Sequence, residues 1–151
     1  PDNETILYRA WKRSEYGKIK PTPMTVFTIK HDGTGHTVRT FDQAMNWAPY
    51  PAPDGRHYVF VRVVEDNNWE VFLGDLAGGE PKRLTFNPGF DGFPSLSPDG
   101  TKMLFARSTG GGFSSSSHCR SRLGACDGSV AGMPKPSRLT SRRTRSGRTP
   151  A

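Results

Sequence analysis

Residues 94–105 read PSLSPDGTKMLF and repeat an earlier segment of the same chain, PYPAPDGRHYVF at residues 49–60. Pro98 minus Pro53 gives an offset of 45 residues. A third copy, Pro1-Asp2-Asn3, opens the chain 52 residues before its counterpart at Pro53 (53 minus 1). A repeat of about 40 to 50 residues that carries several short strands is typical of β-propeller blades.

The Pro-Asp-Gly tripeptide, which is Pro-Asp-Asn in the third copy, predicts a tight turn, since Asn also accepts a positive φ. Pro fixes φ, Asp hydrogen-bonds its own backbone and Gly accepts a positive φ, so the tripeptide reverses the chain with little strain. The apolar runs that follow are too short for helices and are nearly continuous, which indicates strands buried on both faces. A blade lies between two other blades and needs such strands.

The phrase FPSLSPDGTKMLF at residues 93–105 resembles the Pro-Asp-Gly repeat of TolB-like β-propellers, a PD40-type and WD-repeat-like pattern. The same repeat occurs in the propellers of tricorn-type and prolyl-oligopeptidase-type peptidases. The copy at residues 47–60 departs from the pattern, with Pro51-Ala52 where the family usually has an apolar residue and Ser. The resemblance covers roughly residues 1–108 and implies an all-β fold of antiparallel four-stranded blades. It is specific for fold only, because propellers host many unrelated activities.

We predict an incomplete propeller at residues 1–108, with one complete blade at about residues 46–88 between two partial blades. The predicted strands are, in chain order, 6–12, 25–30, 36–41, 48–52, 57–64, 69–75 and 82–86, followed by two strands within 89–106. A closed propeller of about 4 to 8 blades needs more than 151 residues at this period. We therefore expect the chain to be a fragment of a longer protein.

The net charge of +7 arises in the last part of the chain. Residues 1–110 hold 13 basic and 13 acidic residues, whereas residues 111–151 hold eight basic residues against Asp127, and 8 minus 1 gives the whole excess. The basic run at residues 138–148 resembles a nucleic-acid-binding or targeting arm, since phosphate attraction follows from charge. A solvated tail explains it equally well, and we expect no specific nucleic-acid binding.

Residues 109–151 are rich in Gly, Ser and Arg, with no aromatic residue after Phe113. Burying the few large apolar side chains beyond it would contribute about 1.5 to 3 kcal/mol each. Ordering about 38 residues costs about 1 to 2 kcal/mol apiece. We therefore predict a disordered tail at residues 109–151. Its abrupt start within a blade raises the hypothesis that a reading-frame error replaced the native continuation.

No motif in the sequence indicates an active site. A nucleophile elbow (Gly-x-Ser-x-Gly), a phosphate-binding Gly-x-x-x-x-Gly-Lys and a His-Glu-x-x-His zinc site are all absent. His118, Cys119 and Cys126 offer three soft ligands, but their spacing fits no common structural zinc site. We predict no catalytic, cofactor-binding or metal site, and no enzymatic activity.

Two polar turns leave a cation site open as an alternative. His31, Asp32 and His36 flank a Gly-rich segment, where a hairpin turn is favoured because Asp-Gly is typical of such turns. The segment Glu65-Asp66-Asn67-Asn68 carries four oxygen-bearing side chains. Consecutive residues do not all converge on one Ca²⁺, so a turn is again favoured.

Three tryptophans, Trp11, Trp47 and Trp69, could line a binding surface, since Trp is enriched at protein interfaces. Each lies on or beside a predicted strand, so packing between blades is the favoured interpretation. We expect a non-enzymatic protein-binding or scaffold module whose blade loops face a protein or peptide partner. We also expect self-association through the incomplete blades, whose outward faces should present apolar side chains.

The alternative function is a propeller that gates a multidomain serine hydrolase or peptidase whose catalytic domain lies outside this sequence. A Ser-His-Asp hydrolase domain downstream in the parent gene would decide for it. The compartment stays unknown, with only the resemblance pointing to a bacterial envelope or periplasm. No segment approaches the roughly 20 apolar residues of a membrane-spanning helix.

Overall fold

The computed structural model describes residues 2–14, 16–18, 22–109 and 112–120, with the backbone alone for 109 and 112–120. These residues form three antiparallel sheets. The first contains β1 (Thr5–Ala10), β2 (Thr25–Lys30) and β3 (Thr37–Val38). The second contains β4 (Asn46–Pro51), β5 (His57–Glu65), β6 (Asn68–Asp75) and β7 (Lys82–Arg83). The third contains β8 (Asp91–Leu96), β9 (Lys102–Thr109) and β10 (Gly112–Arg120).

The three sheets are consecutive blades, and the predicted all-β antiparallel fold is confirmed. Strands that follow each other in the chain pair with each other within every sheet. Blade 2 has four strands, while blades 1 and 3 have three each in the described residues. Within that part of the chain, no helix is long and apolar enough to cross a membrane.

The sheet of blade 3 extends beyond the predicted boundary at residue 108. β9 continues to Thr109, and β10 pairs with it antiparallel from Gly112 to Arg120, where the tail was predicted to begin. The sequence argument counted only apolar burial, whereas a strand next to an open edge also satisfies its backbone N–H and C=O groups by pairing. The rest of the predicted tail, residues 121–151, lies outside the described residues.

The three turn copies share a hydrogen bond to the aspartate and a positive φ at the residue after it. Asp54 accepts hydrogen bonds from the backbone N–H groups two and three positions later, both at 2.9 Å. Asp2 makes the same two contacts at 3.0 and 2.9 Å, and Asp99 makes the first at 3.0 Å. The residue after the aspartate has a positive φ in every copy, at Asn3 (55°), Gly55 (70°) and Gly100 (67°). The repeat read from the sequence is therefore a structural repeat.

Acid should destabilise the protein through these turns. Hydrogen bonds from Ser97 and Thr101 lower the pKa of Asp99 to about 2. For Asp54, burial opposes ionisation, but hydrogen bonds from the following residues outweigh it and hold the pKa at about 2. The pKa of an aspartate in an unfolded chain is about 3.9. Both carboxylates therefore stabilise the fold above about pH 4, and that contribution is lost as the pH falls through about 2.

Thermal unfolding between about pH 5 and pH 2 measures this effect. We expect Tm to fall over the range, and to fall less for Asp99→Asn, which keeps a turn-forming side chain but does not titrate there. Parallel curves for the two proteins would contradict the depressed pKa of Asp99.

Apolar side chains fill the two spaces between blades. The cluster between blades 1 and 2 is formed by buried Val26, Tyr58, Phe60 and Phe72. The cluster between blades 2 and 3 is formed by buried Ala52, Val59, Val71, Leu84, Leu96, Met103 and Phe105. Blade 2 contributes to both clusters through opposite faces of its sheet, which explains why its strands carry nearly continuous apolar residues.

Candidate protein-interaction surface

The blades have two ends with different chemistry. The Pro-Asp-Gly turns lie where the first strand of a blade meets the second, and we call this the turn end. The opposite end holds the loops from second to third strand and the links from one blade to the next. We call it the aromatic end, after the residues that lie on it: Trp11, Tyr16, Phe41, Trp47, Trp69, Phe86, Phe90 and Phe93.

The turn end carries an open cleft of about 500 Å³ between blades 2 and 3. Its lining comes from the two turns and the strand ends beside them: Ala52, Pro53, Asp54, Leu96, Pro98, Asp99, Gly100 and Thr101. The carboxylates that line this cleft accept hydrogen bonds from residues of their own turns. Asp54 also contacts the His57 ring at 2.6 Å, and Asp99 accepts the Ser97 hydroxyl at 2.5 Å. These side chains build the turns and are poorly placed for a ligand.

Four aromatic rings form one cluster at the aromatic end, and Trp47 lies at its centre. Its ring centroid is 5.0 Å from Phe93, 5.5 Å from Trp69 and 5.9 Å from Phe90. The contacts with Phe93 and Trp69 are edge-to-face, at interplanar angles of 87° and 88°, which is a favoured geometry for aromatic pairs. Phe93 remains 60% exposed. The cluster therefore joins blade 2 to blade 3 and keeps one ring at the surface.

A bulge in the first strand of the blade places Phe93 at the surface. The register of β8 against β9 shifts between Gly92 and Ser95, and Phe93 has a φ of 52°. Ala48, at the same repeat offset of 45, has a φ of 48° beside an equivalent bulge in β4. Positive φ is uncommon for residues other than glycine. Because both blades share this kink, it belongs to the blade architecture, and blade 3 uses it to expose an aromatic side chain.

Two polar atoms in and beside the cluster lack hydrogen-bond partners. Trp47 Nε1 and Asn68 Oδ1 are buried and make no hydrogen bond within the described part of the chain. One is a donor and the other an acceptor. A buried polar group without a partner costs about 1 to 3 kcal/mol. The cluster thus combines apolar rings with unused hydrogen-bonding capacity.

Blade 1 adds a second aromatic contact on a longer loop. β1 and β2 of blade 1 are the counterparts of β5 and β6, the second and third strands of blade 2. Between equivalent positions of these strands, the chain of blade 1 is seven residues longer than that of blade 2, which is the difference between the offsets of 52 and 45. Trp11 and Tyr16 meet on this loop in an edge-to-face contact, with ring centroids 5.6 Å apart. Both side chains are exposed. The insertion therefore enlarges the aromatic end.

Two arginines, of which Arg107 is buried and Arg62 partly buried, hold the first strands of blades 2 and 3. Arg62 Nε donates to Asn46 Oδ1 at 2.9 Å, and its Nη2 donates to Asp42 Oδ2 at 2.7 Å. At the same offset of 45, Arg107 donates to both carboxylate oxygens of Asp91, at 2.8 and 2.7 Å. The Asp91 carboxylate raises the pKa of the Arg107 guanidinium. Each pair fixes the residue with which an innermost strand begins, and so orients the aromatic side chains next to it.

The carboxylate has changed place between these two blades. Blade 2 has Asp42 and Asn46, whereas blade 3 has Asn87 and Asp91 at the equivalent positions. In both blades one carboxylate pairs with the arginine. Each arginine therefore has one aspartate partner, although that aspartate stands at a different position in the two blades.

No family model matches this sequence. The structure is similar to TolB from Acinetobacter baumannii, with a TM-score of 0.65 and 20% sequence identity, over 82% of this chain and 29% of that one. It is also similar to the putative TolB from Agrobacterium tumefaciens, with a TM-score of 0.67 and 19% identity, over 84% of this chain and 45% of that one. The chain has a TolB-like β-propeller fold. It spans less than half the length of either protein.

The TolB-like blades account for two of the three tryptophans that the sequence singled out. Trp47 and Trp69 pack against each other and against blade 3, as the favoured interpretation predicted. Trp11 is exposed. The sequence analysis missed Phe90 and Phe93. Aligning the two repeats would reveal Phe93, because it falls at the same repeat position as Ala48. Blade 3 thus has an aromatic residue where blade 2 has a small one.

The first polar turn of the TolB-like array is a hairpin, as favoured from the sequence. Asp32 Oδ1 accepts the Thr34 N–H at 2.9 Å and the Thr34 hydroxyl at 2.7 Å. His36 Nε2 lies 2.6 Å from the Tyr8 hydroxyl. His31 donates its backbone N–H to the Glu4 carbonyl at 2.8 Å. The three residues therefore serve three separate contacts.

The second polar turn is also a hairpin. Glu65, the last residue of β5, pairs with Asn68, the first residue of β6, and Asn67 between them has a φ of 61°. Within the described residues, no group of three or more His, Cys, Asp or Glu could hold a metal ion. The side chains of His118, Cys119 and Cys126 and the basic run at 138–148 lie outside the described part.

Proposed function

We propose that this chain is a non-enzymatic protein-binding module and that its partner docks on the aromatic end. The exposed ring of Phe93 is the observation that carries the proposal. Phe93 stands on the Trp47 cluster and is held at the surface by the bulge in β8. Interface hot spots are enriched in large aromatic side chains that rest on a packed base.

The distribution of exposed apolar side chains supports this end over the other. Eight large hydrophobic side chains are exposed among the residues whose side chains are described. Five of them lie at the aromatic end: Trp11, Tyr16, Phe41, Phe86 and Phe93. Arg83 stacks on Phe86 at 4.8 Å from the ring centroid, which adds a guanidinium to the surface. Aromatic residues and Arg are the types most enriched in protein interfaces.

The charge distribution indicates how such a partner would be recognised. Residues 1–110 hold 13 basic and 13 acidic residues, so the blades have no net charge to steer a strongly charged ligand. Recognition would depend on apolar burial together with hydrogen bonds. Peptide segments with a Pro, Leu or aromatic side chain satisfy this requirement, since they combine an apolar group with free backbone N–H and C=O groups.

A random peptide library displayed on phage tests the proposal on the immobilised chain. We expect enriched peptides that bind in synthetic form and lose at least about tenfold in affinity for Phe93→Ala. This loss equals about 1.4 kcal/mol, which exceeds the roughly 1 kcal/mol that truncation of most interface residues costs. Tyr50→Ala is the matched control, since Tyr50 is an exposed aromatic residue outside the aromatic end. It should leave the affinity unchanged.

Selected peptides that bind Phe93→Ala as tightly as the parent chain would reject the aromatic end as the binding surface. Stronger loss in Asp99→Asn than in Phe93→Ala would instead move the site to the cleft at the turn end. Circular dichroism should show that Phe93→Ala keeps its strand signal, because the removed ring is mostly exposed.

A further inference from the structure

The loop between β1 and β2 of blade 1, residues 11–24, is strongly basic, and we call it the basic loop. Its cationic residues are Lys12, Arg13, Lys18 and Lys20. Glu15 is its one acidic residue, so 4 minus 1 gives a net charge of +3. The rest of residues 1–110 holds 9 basic and 12 acidic residues (13 minus 4 and 13 minus 1), a net charge of −3. The neutrality of the blades as a whole therefore conceals a basic loop on an acidic body.

Two aromatic rings lie among the cations of this loop. Trp11 is 46% exposed and Tyr16 is 65% exposed, and their edge-to-face contact leaves both rings at the surface. The Tyr16 N–H donates to the Lys12 carbonyl at 3.2 Å, which folds this part of the loop into a turn. Arg13 and Lys18, before and after Tyr16 in the chain, are exposed. The basic loop thus presents cations and aromatic rings side by side.

The exposure of the basic loop follows from its place at the end of a blade. Other blades pack on the two sides of a sheet, as they do on blade 2, whose two sides contribute to two apolar clusters. At the end of blade 2, the equivalent turn still leaves Glu65 and Asp66 exposed. A blade end is therefore open to solvent when both sides of the sheet are covered.

The equivalent turn of blade 2 has the opposite charge. Glu65 and Asp66 are both acidic, while the connection in blade 3 consists of Gly110 and Gly111 and carries no charge. An extended anion across the aromatic end, such as a nucleic acid or a membrane surface, would meet these two carboxylates as well as the basic loop. Like charges brought together at an interface oppose binding. A short acidic segment contacts the basic loop alone and avoids this repulsion.

We propose that the partner of the aromatic end carries a short acidic segment with an apolar side chain, and that this segment binds the basic loop. The proposal rests on the proposed function, since it assigns a second contact to the same partner. Carboxylates of the segment pair with Arg13 and Lys18, and its apolar side chain packs on the Tyr16 ring. Complementary charges of this kind speed association and fix the register of a complex. An acidic segment held at blade 1 sets the direction in which the partner crosses to Phe93 on blade 3.

Fluorescence anisotropy with a labelled synthetic peptide, Asp-Glu-Asp-Phe-Glu-Asp-Leu-Glu, tests the proposal on the full chain. We expect Lys18→Glu to weaken binding at least about threefold, because the substitution replaces an attraction with a repulsion. The double variant with Arg13→Glu and Lys18→Glu should weaken it at least about tenfold for the same reason. The amide peptide Asn-Gln-Asn-Phe-Gln-Asn-Leu-Gln should bind less tightly to the parent chain and respond to neither variant.

Lys102→Glu is the matched control. It changes the net charge by the same amount, but Lys102 is exposed at the turn end, so the affinity should stay that of the parent chain. The control is needed because the eight basic residues within 111–151 attract any anion. Only the difference between the two substitutions reports on the basic loop. Circular dichroism should show an unchanged strand signal for Lys18→Glu, since Lys18 is exposed.

Equal affinities of the acidic peptide for the parent chain and Lys18→Glu would overturn the proposal, and so would equal losses in Lys18→Glu and Lys102→Glu. A single-stranded RNA, or vesicles of phosphatidylglycerol, that lost more affinity in Lys18→Glu than the peptide does would also overturn it in favour of an extended anion.

Phe93→Ala separates this proposal from the proposed function. If the acidic peptide depends on Lys18 while the phage-selected peptides bind Phe93→Ala normally, the basic loop stands and the site at Phe93 is rejected. If the selected peptides depend on Phe93 while the acidic peptide ignores Lys18→Glu, the proposed function stands and the basic loop is rejected.

Discussion

Gly74→Ala is expected to destabilise the chain by at least about 2 kcal/mol, at the upper part of the range for overpacking. A Cβ at this position would lie 2.3 Å from Cζ of Tyr58, which pairs with Gly74 across β5 and β6. The Tyr58 ring has little freedom to move, because it is fully buried and its hydroxyl donates to the Arg39 carbonyl at 3.1 Å. Urea unfolding measures the loss.

The other blades provide the control for this prediction. The positions equivalent to Tyr58 and Gly74 hold Ile6 and Ile29 in blade 1, and these also pair across two strands. In blade 1, a medium-sized side chain therefore lies opposite another one. In blade 2, the large ring of Tyr58 lies opposite Gly74, which has no side chain. In a Tyr58→Ile background, Gly74→Ala should cost little. An equal loss in both backgrounds would show that the ring is not the cause.

Asp91→Asn is expected to cost about 3 to 5 kcal/mol, the range for breaking a buried ion pair at one partner. Asp91 is fully buried and Arg107 nearly so. The substitution leaves the guanidinium without its carboxylate partner. Glu70 lies near enough to act on Arg107, but burial raises the pKa of Glu70 and weakens it as a replacement.

The exchange between blades predicts a rescue. Adding Asn87→Asp to Asp91→Asn gives blade 3 the Asp and Asn positions of blade 2, where Arg62 is held by both. We expect the double variant to recover most of the lost stability in urea unfolding. Asn87→Asp alone should change little, since Asn87 is only partly buried and its side-chain amide donates to the carbonyl of the adjacent Pro88. A double variant no more stable than Asp91→Asn would show that the two networks are not interchangeable.

Much of this fold could be predicted from a single repeated phrase. Pro53-Asp54-Gly55 and its copies predict turns from local chemistry alone, and the apolar runs between them are strand-length. These signals depend on neighbouring residues, so they survive in one sequence. β10 was missed because its pairing rests on backbone hydrogen bonds to β9, which composition does not reveal.

The candidate surface was only partly predictable. Trp47 and Trp69 stood out by residue type, but the sequence does not show that Phe93 is exposed. That exposure depends on a bulge and a positive φ within β8. Similarly, the partners of Arg62 and Arg107 lie 16 residues away or more in sequence, and the offset of 45 reveals them only once the strands are paired.

The exchange of Asp and Asn between blades 2 and 3 restricts the order in which substitutions could have accumulated if one blade arose by duplication of another. Single steps between the two arrangements pass through a blade with either two aspartates or two asparagines. The intermediate with two asparagines leaves the arginine without a carboxylate partner, which is strongly destabilising. The aspartate intermediate keeps it paired. Divergence of such blades should therefore proceed through the acidic form, and duplicated blades with two aspartates at these positions should outnumber those with two asparagines.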